Sequence, residues 1–337
     1  MESRRRIIVS NLISIDGFFA GPKGELDWFS MDREFDGYAV ELLNSVDTIL
    51  FGRVTYEFMA SYWPTATAPT NDPAIIEKMN GLPKVVFSKT LKKAAWNNSV
   101  VARGDIVEEV EALKLRPGRN MVIFGSGRLV SSLTNLGLID DYQLLVQPVI
   151  LGNGRPQFED LKARFSQNLW RTRLFHSGAI LLRYQPNIKT LTLIRVFDAR
   201  RDAVFRAWTD SRRMAAWWGP KMFTNPLSEI DARPGGAIRI DMRGPDGVVY
   251  PMTGVFHEVD APGRLVFTSR SYEDAAGRSK LEVLNTATFA AAPGGKTKLV
   301  LRAVVVKAEP ELAQALAGME QGWSESLDKL AGLLAKA

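Results

Sequence analysis

The chain has 337 residues, more than the roughly 250–300 at which a single core stops growing, so two domains are expected. Its 46% hydrophobic and 24% charged residues are those of a globular protein, and no run nears the ~20 apolar residues of a membrane span. With no cysteine and only His176 and His257, disulfides, thiolate zinc sites and a cysteine nucleophile are excluded and no metal site is expected; the net charge of +6 is spread out, which suits a phosphorylated small molecule rather than nucleic acid.

The basic start, Met1 to Arg6, precedes too short an apolar stretch for a signal segment, and with the cysteine-free composition a cytoplasmic protein is expected. Residues 6–12 read as a buried strand, followed by turns at Ser14-Ile15-Asp16-Gly17 and Gly21-Pro22-Lys23-Gly24. A helix is expected over 35–43, a strand over 48–51, a helix over 54–62 and a loop over 63–73. Strands follow at 84–87 and 121–124, with an amphipathic helix over 106–115 between them and another helix through Leu136. A long strand over 141–151 and one over 179–184 close this half. Strands alternating with helices predict an α/β sheet with parallel segments.

Three strand-to-turn junctions recur: Phe51-Gly52-Arg53, Phe87-Ser88-Lys89 and Phe124-Gly125-Ser126-Gly127-Arg128. Ligands of open α/β sheets bind beyond the carboxyl ends of strands. Glycine lets backbone approach a phosphate, helix-start N–H groups face the anion, and Arg53, Ser88, Lys89 and Arg128 would add charge-assisted bonds. The third glycine of a dinucleotide fingerprint is missing, since that position is Val130.

Together with Ser14-Ile-Asp16-Gly17-Phe-Phe-Ala20, Gly52-Arg53-Val-Thr55-Tyr56-Glu57 and Pro148-Val-Ile-Leu-Gly152-Asn-Gly154, these junctions resemble the dihydrofolate reductase superfamily. The branch is the C-terminal reductase domain of the riboflavin-biosynthesis deaminase-reductase. The resemblance implies NADPH as cofactor, with Arg53 and Ser88 at the 2′-phosphate, Thr55 at the pyrophosphate and Gly125–Arg128 at the second phosphate turn. It also implies a cis Gly125–Ser126 bond, and domains of this branch are often homodimers. The zinc-dependent deaminase half of the bifunctional enzyme is absent. Folate reductases carry an acid on the helix before the Gly-Arg strand; Asp36 falls near that position, with Asp32, Glu34 and Glu41 close by.

Residues 186–189 read as a linker between domains at 1–185 and 190–337. Residues 190–197 read as a strand, Asp198 as the cap of a helix through Trp208, and 214–218 as a helix stopped by Gly219-Pro220. Strands over 227–232, 237–243, 248–259, 264–271, 281–291 and 298–306, split by Pro/Gly breaks, predict an antiparallel sheet. One helix is expected over 310–334, with Leu312, Leu316, Met319, Trp323, Leu327, Leu330 and Leu334 on one stripe. His257 and Glu258 read as a strand-end surface pair.

Phe197-Asp-Ala-Arg-Arg-Asp-Ala-Val-Phe-Arg-Ala-Trp208, Trp217-Trp218-Gly219-Pro220, Pro234-Gly-Gly236 and Gly322-Trp323 resemble the START-like (SRPBCC) helix-grip superfamily, in the branch of heat-shock-protein ATPase activator homologues. One helix lying across one curved sheet leaves an apolar cavity at Leu316, Met319 and Trp323, with the competing reading that these side chains fill the core. The expected function is an NADPH-dependent reductase of a small heterocyclic or carbonyl substrate, fused to a binder of an apolar small molecule. The alternative is a non-catalytic small-molecule-binding or stress-regulatory protein, including a co-chaperone-like role.

Overall fold

The computed structural model describes residues 5–29, 32–67, 71–187, 189–274 and 276–335. Residues 1–4 of the basic start, 68–70 of the expected loop and Ile188 of the expected linker lie outside them. The chain divides into two compact units, Met1–Leu161 with Gln167–Asn187, and Lys162–Ser166 with Ile188–Ala337.

The first unit is built on an eight-stranded sheet. In chain order its strands are β1 (Ile7–Ile13), β3 (Val46–Gly52), β4 (Lys84–Phe87), β5 (Ser99–Ala102), β6 (Asn120–Ile123), β7 (Asp141–Val146), β9 (Gln167–Leu174) and β10 (Ile180–Pro186). They lie in the order β5-β4-β3-β6-β1-β7-β10-β9, and β2 (Phe18–Ala20) pairs separately with β8 (Arg155–Pro156). The strands from β5 to β7 are parallel, and β10 returns antiparallel between β7 and β9. Its helices are α1 (Arg33–Ser45), α2 (Arg53–Tyr62), α3 (Pro73–Gly81), α4 (Ile106–Leu115) and α5 (Gly127–Asn135). β3 and β6 are apolar with little alternation because sheets of this kind are covered on both faces. One core cluster joins Ile8, Ile49, Phe51, Val122 and Leu145 to Leu42 and Leu43 of α1.

The second unit is a seven-stranded antiparallel sheet. It contains β11 (Thr190–Phe197), β12 (Thr224–Ile230), β13 (Ala237–Arg243), β14 (Val249–Asp260), β15 (Arg264–Glu273), β16 (Ser279–Ala292) and β17 (Lys296–Ala308). Their order is β11-β17-β16-β15-β14-β13-β12. Helices α6 (Arg201–Thr209), α7 (Ser211–Trp217), α8 (Ala313–Ala317) and α9 (Met319–Leu334) complete it. The helices and the sheet share one core, in which Trp208, Trp217, Leu327 and Leu330 pack with Ile240, Phe267 and Leu301.

Several elements differ from expectation. The strand expected over 141–151 ends at Val146, two residues before Pro148, which has no N–H for a ladder. Helix α3 lies partly inside the expected loop; Asp72 caps it and Pro73 opens it. Asp198 caps no helix: α6 starts at Arg201, and Asp198 lies 3.5 Å from Lys296. The terminal helix is broken at Gly318, between α8 and α9, after a short 3-10 turn at Pro310–Leu312. His257 is half-buried rather than a surface group, with Nε2 2.7 Å from the Thr268 hydroxyl, while Glu258 pairs with Arg264.

Candidate functional site

Strands β4, β3 and β6 are parallel neighbours, so their carboxyl ends lie side by side; Gly52 is in register with Phe87, and Leu50 with Ile123. The turns after β3 and β6 interlock. The Gly52 N–H donates to Ser126 Oγ at 3.1 Å, and the Ser126 N–H donates to Thr55 Oγ1 at 2.9 Å. Gly125 and Ser126 both sit in the left-handed region, at φ +55° and +57°. A side chain at Gly125 would meet Thr55 Cγ2 at 3.1 Å, and one at Gly127 would meet the Phe19 ring at 2.8 Å. The Gly125–Ser126 bond is trans, against expectation; the two left-handed residues make the turn without it.

Asn11 of β1 clamps this turn from below. Its Oδ1 accepts from Gly125 N at 2.6 Å, and its Nδ2 donates to Gly125 O at 3.1 Å and to Gln157 Oε1 at 2.8 Å. Asp16 accepts from the N–H groups of Leu151 and Gly152 at 3.1 and 2.7 Å, joining two motifs far apart in sequence. The Ser14 hydroxyl and those N–H groups hold its carboxyl below the usual range. Sequence reasoning missed the roles of Asn11 and Gln157; the polar break Ser10-Asn11 in an otherwise apolar strand was the available signal.

Capping separates these two turns from the rest of the unit. Asp32, Asp72 and Asp105 cap α1, α3 and α4 through their side chains. Helices α2 and α5, whose N-cap residues are Gly52 and Ser126, have no capping side chain among the described residues. The first-turn N–H groups of a helix have no partner within it, and the macrodipole adds roughly half a positive charge there. Two such ends beside each other present N–H groups that can receive an anion.

Gly52, Thr55, Gly125, Ser126 and Gly127 are thus brought together. The charged candidates are arranged otherwise. Arg53 Nη1 lies 2.9 Å from Glu57 one turn along α2, with both side chains about half exposed, and Arg128 is exposed, 3.4 Å from Glu159. Ser88 Oγ accepts from the N–H groups of Thr90 and Leu91 at 3.1 and 2.9 Å, closing the turn after β4. Lys89 is exposed beside it.

Among the acids near α1, Asp32 accepts from Phe35 N, Glu34 from His176, and Glu41 lies 3.7 Å from Arg173. The Asp36 carboxyl has no such engagement among the described residues. Burial, with Asp72 and Asp32 nearby, raises its carboxyl above the usual range.

In the second unit Leu316, Met319 and Trp323 are partly buried and packed against the core. Trp323 stacks on Trp208 with ring centres 6.0 Å apart and meets Trp218 edge-on at 5.1 Å. The Trp217 indole N–H donates to Ala207 O at 2.8 Å, whereas that of Trp208, fully buried, meets no acceptor among the described residues. Among the described residues no group of His, Asp or Glu side chains could hold a metal ion, and no helix is long and apolar enough to cross a membrane.

The family model described as "RibD C-terminal domain" matches residues 5–181, and the one described as "Activator of Hsp90 ATPase homolog 1-like protein" matches residues 198–335. YyaP, an uncharacterized protein of Bacillus subtilis (strain 168), is 35% identical over 184 residues, covering 55% of this chain and 96% of its own. YwjB of the same organism, also uncharacterized, is 28% identical over 53% of this chain and 97% of its own. A solved structure from Shewanella sp. PV-4, named as a candidate riboflavin biosynthesis protein, is 23% identical over 54% of this chain and 99% of its own, with a TM-score of 0.46. The chain belongs to the RibD C-terminal domain family, with a START-like domain of the Hsp90 ATPase activator homologue type joined behind it.

Proposed function

We propose that the first unit binds NADPH across the Gly52 and Gly125 turns and reduces a small heterocyclic or carbonyl substrate. The observation that carries this reading is the pair of abutting helix starts without capping side chains, in a unit whose other three helices are capped by aspartates. The N–H groups that open α2 and α5 would hold the pyrophosphate. The Thr55 hydroxyl, whose oxygen accepts from Ser126, keeps its own proton for a phosphate oxygen. Arg53 would turn from Glu57 to the 2′-phosphate. The bound cofactor supplies the hydride. Asp36 would supply the proton: its raised pKa keeps it protonated nearer neutrality than an ordinary carboxyl, as a general acid requires.

Fluorescence titration tests the cofactor. Arg53→Ala is expected to weaken NADPH about tenfold, the low end for a charge-assisted bond, and to leave NADH nearly unchanged. Equal loss for both would remove Arg53 from the 2′-phosphate site. Asp36→Asn is expected to lower turnover at least a hundredfold while sparing NADPH affinity.

For the second unit, the fully buried Trp208 N–H, without an acceptor among the described residues, supports a ligand that is mostly apolar and carries one acceptor oxygen.

A further inference from the structure

The first unit holds a concavity of about 240 Å3 at the opposite ends of the strands from the Gly52 and Gly125 turns. It opens over the amino-terminal ends of β1, β6 and β7, beside the second half of α1. Guanidinium groups come to it from adjoining strands. Arg171 and Arg183 are in register on β9 and β10, as are Arg173 and Leu181, and Arg6 precedes β1. Arg183 donates to Asp141 Oδ2 at 2.6 Å and lies over the Trp170 ring at 4.2 Å. Arg173 reaches Glu34 and Glu41 at 3.5 and 3.7 Å. Arg6 donates to the Asp140 carbonyl at 2.8 Å. Arg171 is exposed and forms no ion pair among the described residues.

Asp141, which lines the concavity, carries an acceptor with no donor among the described residues. Asp141 is 1% exposed, and while its Oδ2 takes Arg183, its Oδ1 has no partner among the described residues. Gln143 does not relieve it: with its amide oxygen toward Arg183, at 3.2 and 2.9 Å from Nε and Nη2, its nitrogen donates to Tyr38 at 2.9 Å. A buried carboxylate oxygen left without a donor is costly to fold and marks a place where a bound molecule supplies one.

We infer that this concavity is a second binding site, for a small molecule carrying one phosphate and at least one hydroxyl. The phosphate meets Arg171 and Arg6 at the mouth, where planar N–H forks match its oxygens. The hydroxyl donates to Asp141 Oδ1 on the floor. Leu42 and Leu181 line the wall between. A bare anion would leave the Asp141 oxygen unanswered, and a neutral polyol would leave the guanidinium groups at the mouth unused. The volume lies below the ~300–1,000 Å3 of drug-sized pockets, which suits a compact phosphorylated polyol.

Calorimetric titration of the full chain tests this with glycerol 3-phosphate, glycerol and inorganic phosphate as probes. Glycerol 3-phosphate is expected to bind, inorganic phosphate at least tenfold more weakly, and glycerol not at all. Arg171→Glu, at an exposed position that does not endanger folding, is expected to weaken glycerol 3-phosphate at least tenfold. NADPH is expected to leave the isotherm unchanged. The inference is overturned if glycerol 3-phosphate gives no heat at millimolar concentration, or if Arg171→Glu binds it as the parent does. It is also overturned if NADPH displaces it, or if Arg171→Glu changes only the self-association of the chain.

Discussion

The two histidines occupy opposite electrostatic settings. His176 is exposed, its Nδ1 2.9 Å from Glu34, whose carboxylate raises the imidazole above its ordinary value near 6.5. His257 is pushed below that value, first by burial and then by Lys162 and Arg270. A raised histidine contributes stability in full below about 6.5 and loses it as pH rises through its folded value. Glu34, held low by His176, contributes above its ordinary value near 4.5 and loses this as pH falls through its folded value. The pair therefore supports the fold best between the two. His257 runs the other way: the folded state resists its proton, so stability grows with pH from its folded value up to about 6.5. Nitrogen-detected NMR on a chain with only two imidazoles reads both directly. Two titrations are expected, one on each side of 6.5, and Glu34→Gln is expected to bring the higher one down while leaving the lower in place. Trp323 offers a second test. Its removal strips the stacked face of Trp208 and the edge contact to Trp218. Trp323→Ala is expected to cost about 3 kcal/mol in denaturant unfolding. It is also expected to open a space that takes up an apolar dye; a stable variant without dye binding would count against a ligand at this place.

Secondary elements were legible where one signal dominated. α4 carries an Asp cap followed by an apolar helical period, and its span is the expected 106–115. β4 and β11 are short runs between breakers, and both match in full. β5 and β9 were missed because neither shows a clean apolar pattern: β9 is exposed along most of its length and carries Arg171 and Arg173. It is held by its ladder with β10 rather than by burial. The signal for α3 was present in Asp72-Pro73, a cap before a proline at the first helical position, but the preceding Pro/Thr/Ala stretch masked it. In the candidate site the glycine turns were legible because a strand end followed by glycine is local. The Asn11 clamp was not, because its partners Gly125 and Gln157 are 114 and 146 residues away. Gly318 gives this scale its prediction. The apolar stripe runs through it, yet the helix breaks there, at φ −83° and ψ −4°. A Cβ at Gly318 would find only ordinary contacts, at 3.7 and 3.8 Å. Gly318→Ala is therefore expected to join α8 to α9 and raise stability by about 0.5–1 kcal/mol, seen as added helical circular dichroism and a higher melting temperature.

At the scale of the whole chain, the expected cut between residues 185 and 190 meets an excursion. Lys162–Ser166 precedes the last two strands of the first unit, yet groups with the second. The reason is on the outer side of the second sheet, where Val266, Leu284, Val304 and Val306 form an apolar cluster separate from the main core. Ala163 and Phe165 pack on that cluster. The cluster lies on the middle strands β15, β16 and β17, so leaving it open would present an apolar patch in the centre of a sheet face. A fragment that begins at Lys189 contains every strand and helix of the second unit but lacks this segment. It is expected to fold, with the same far-ultraviolet circular dichroism per residue. It is also expected to melt lower than the second transition of the full chain and to bind a hydrophobic dye. In the full chain Phe165→Ala should reproduce part of the loss, about 1–2 kcal/mol, since Phe165 is half-buried rather than fully enclosed. Equal melting of the fragment and the full chain, with a silent Phe165→Ala, would show that Ala163 and Phe165 rest on the cluster without stabilising it, and the two units could then be separated at the linker without loss.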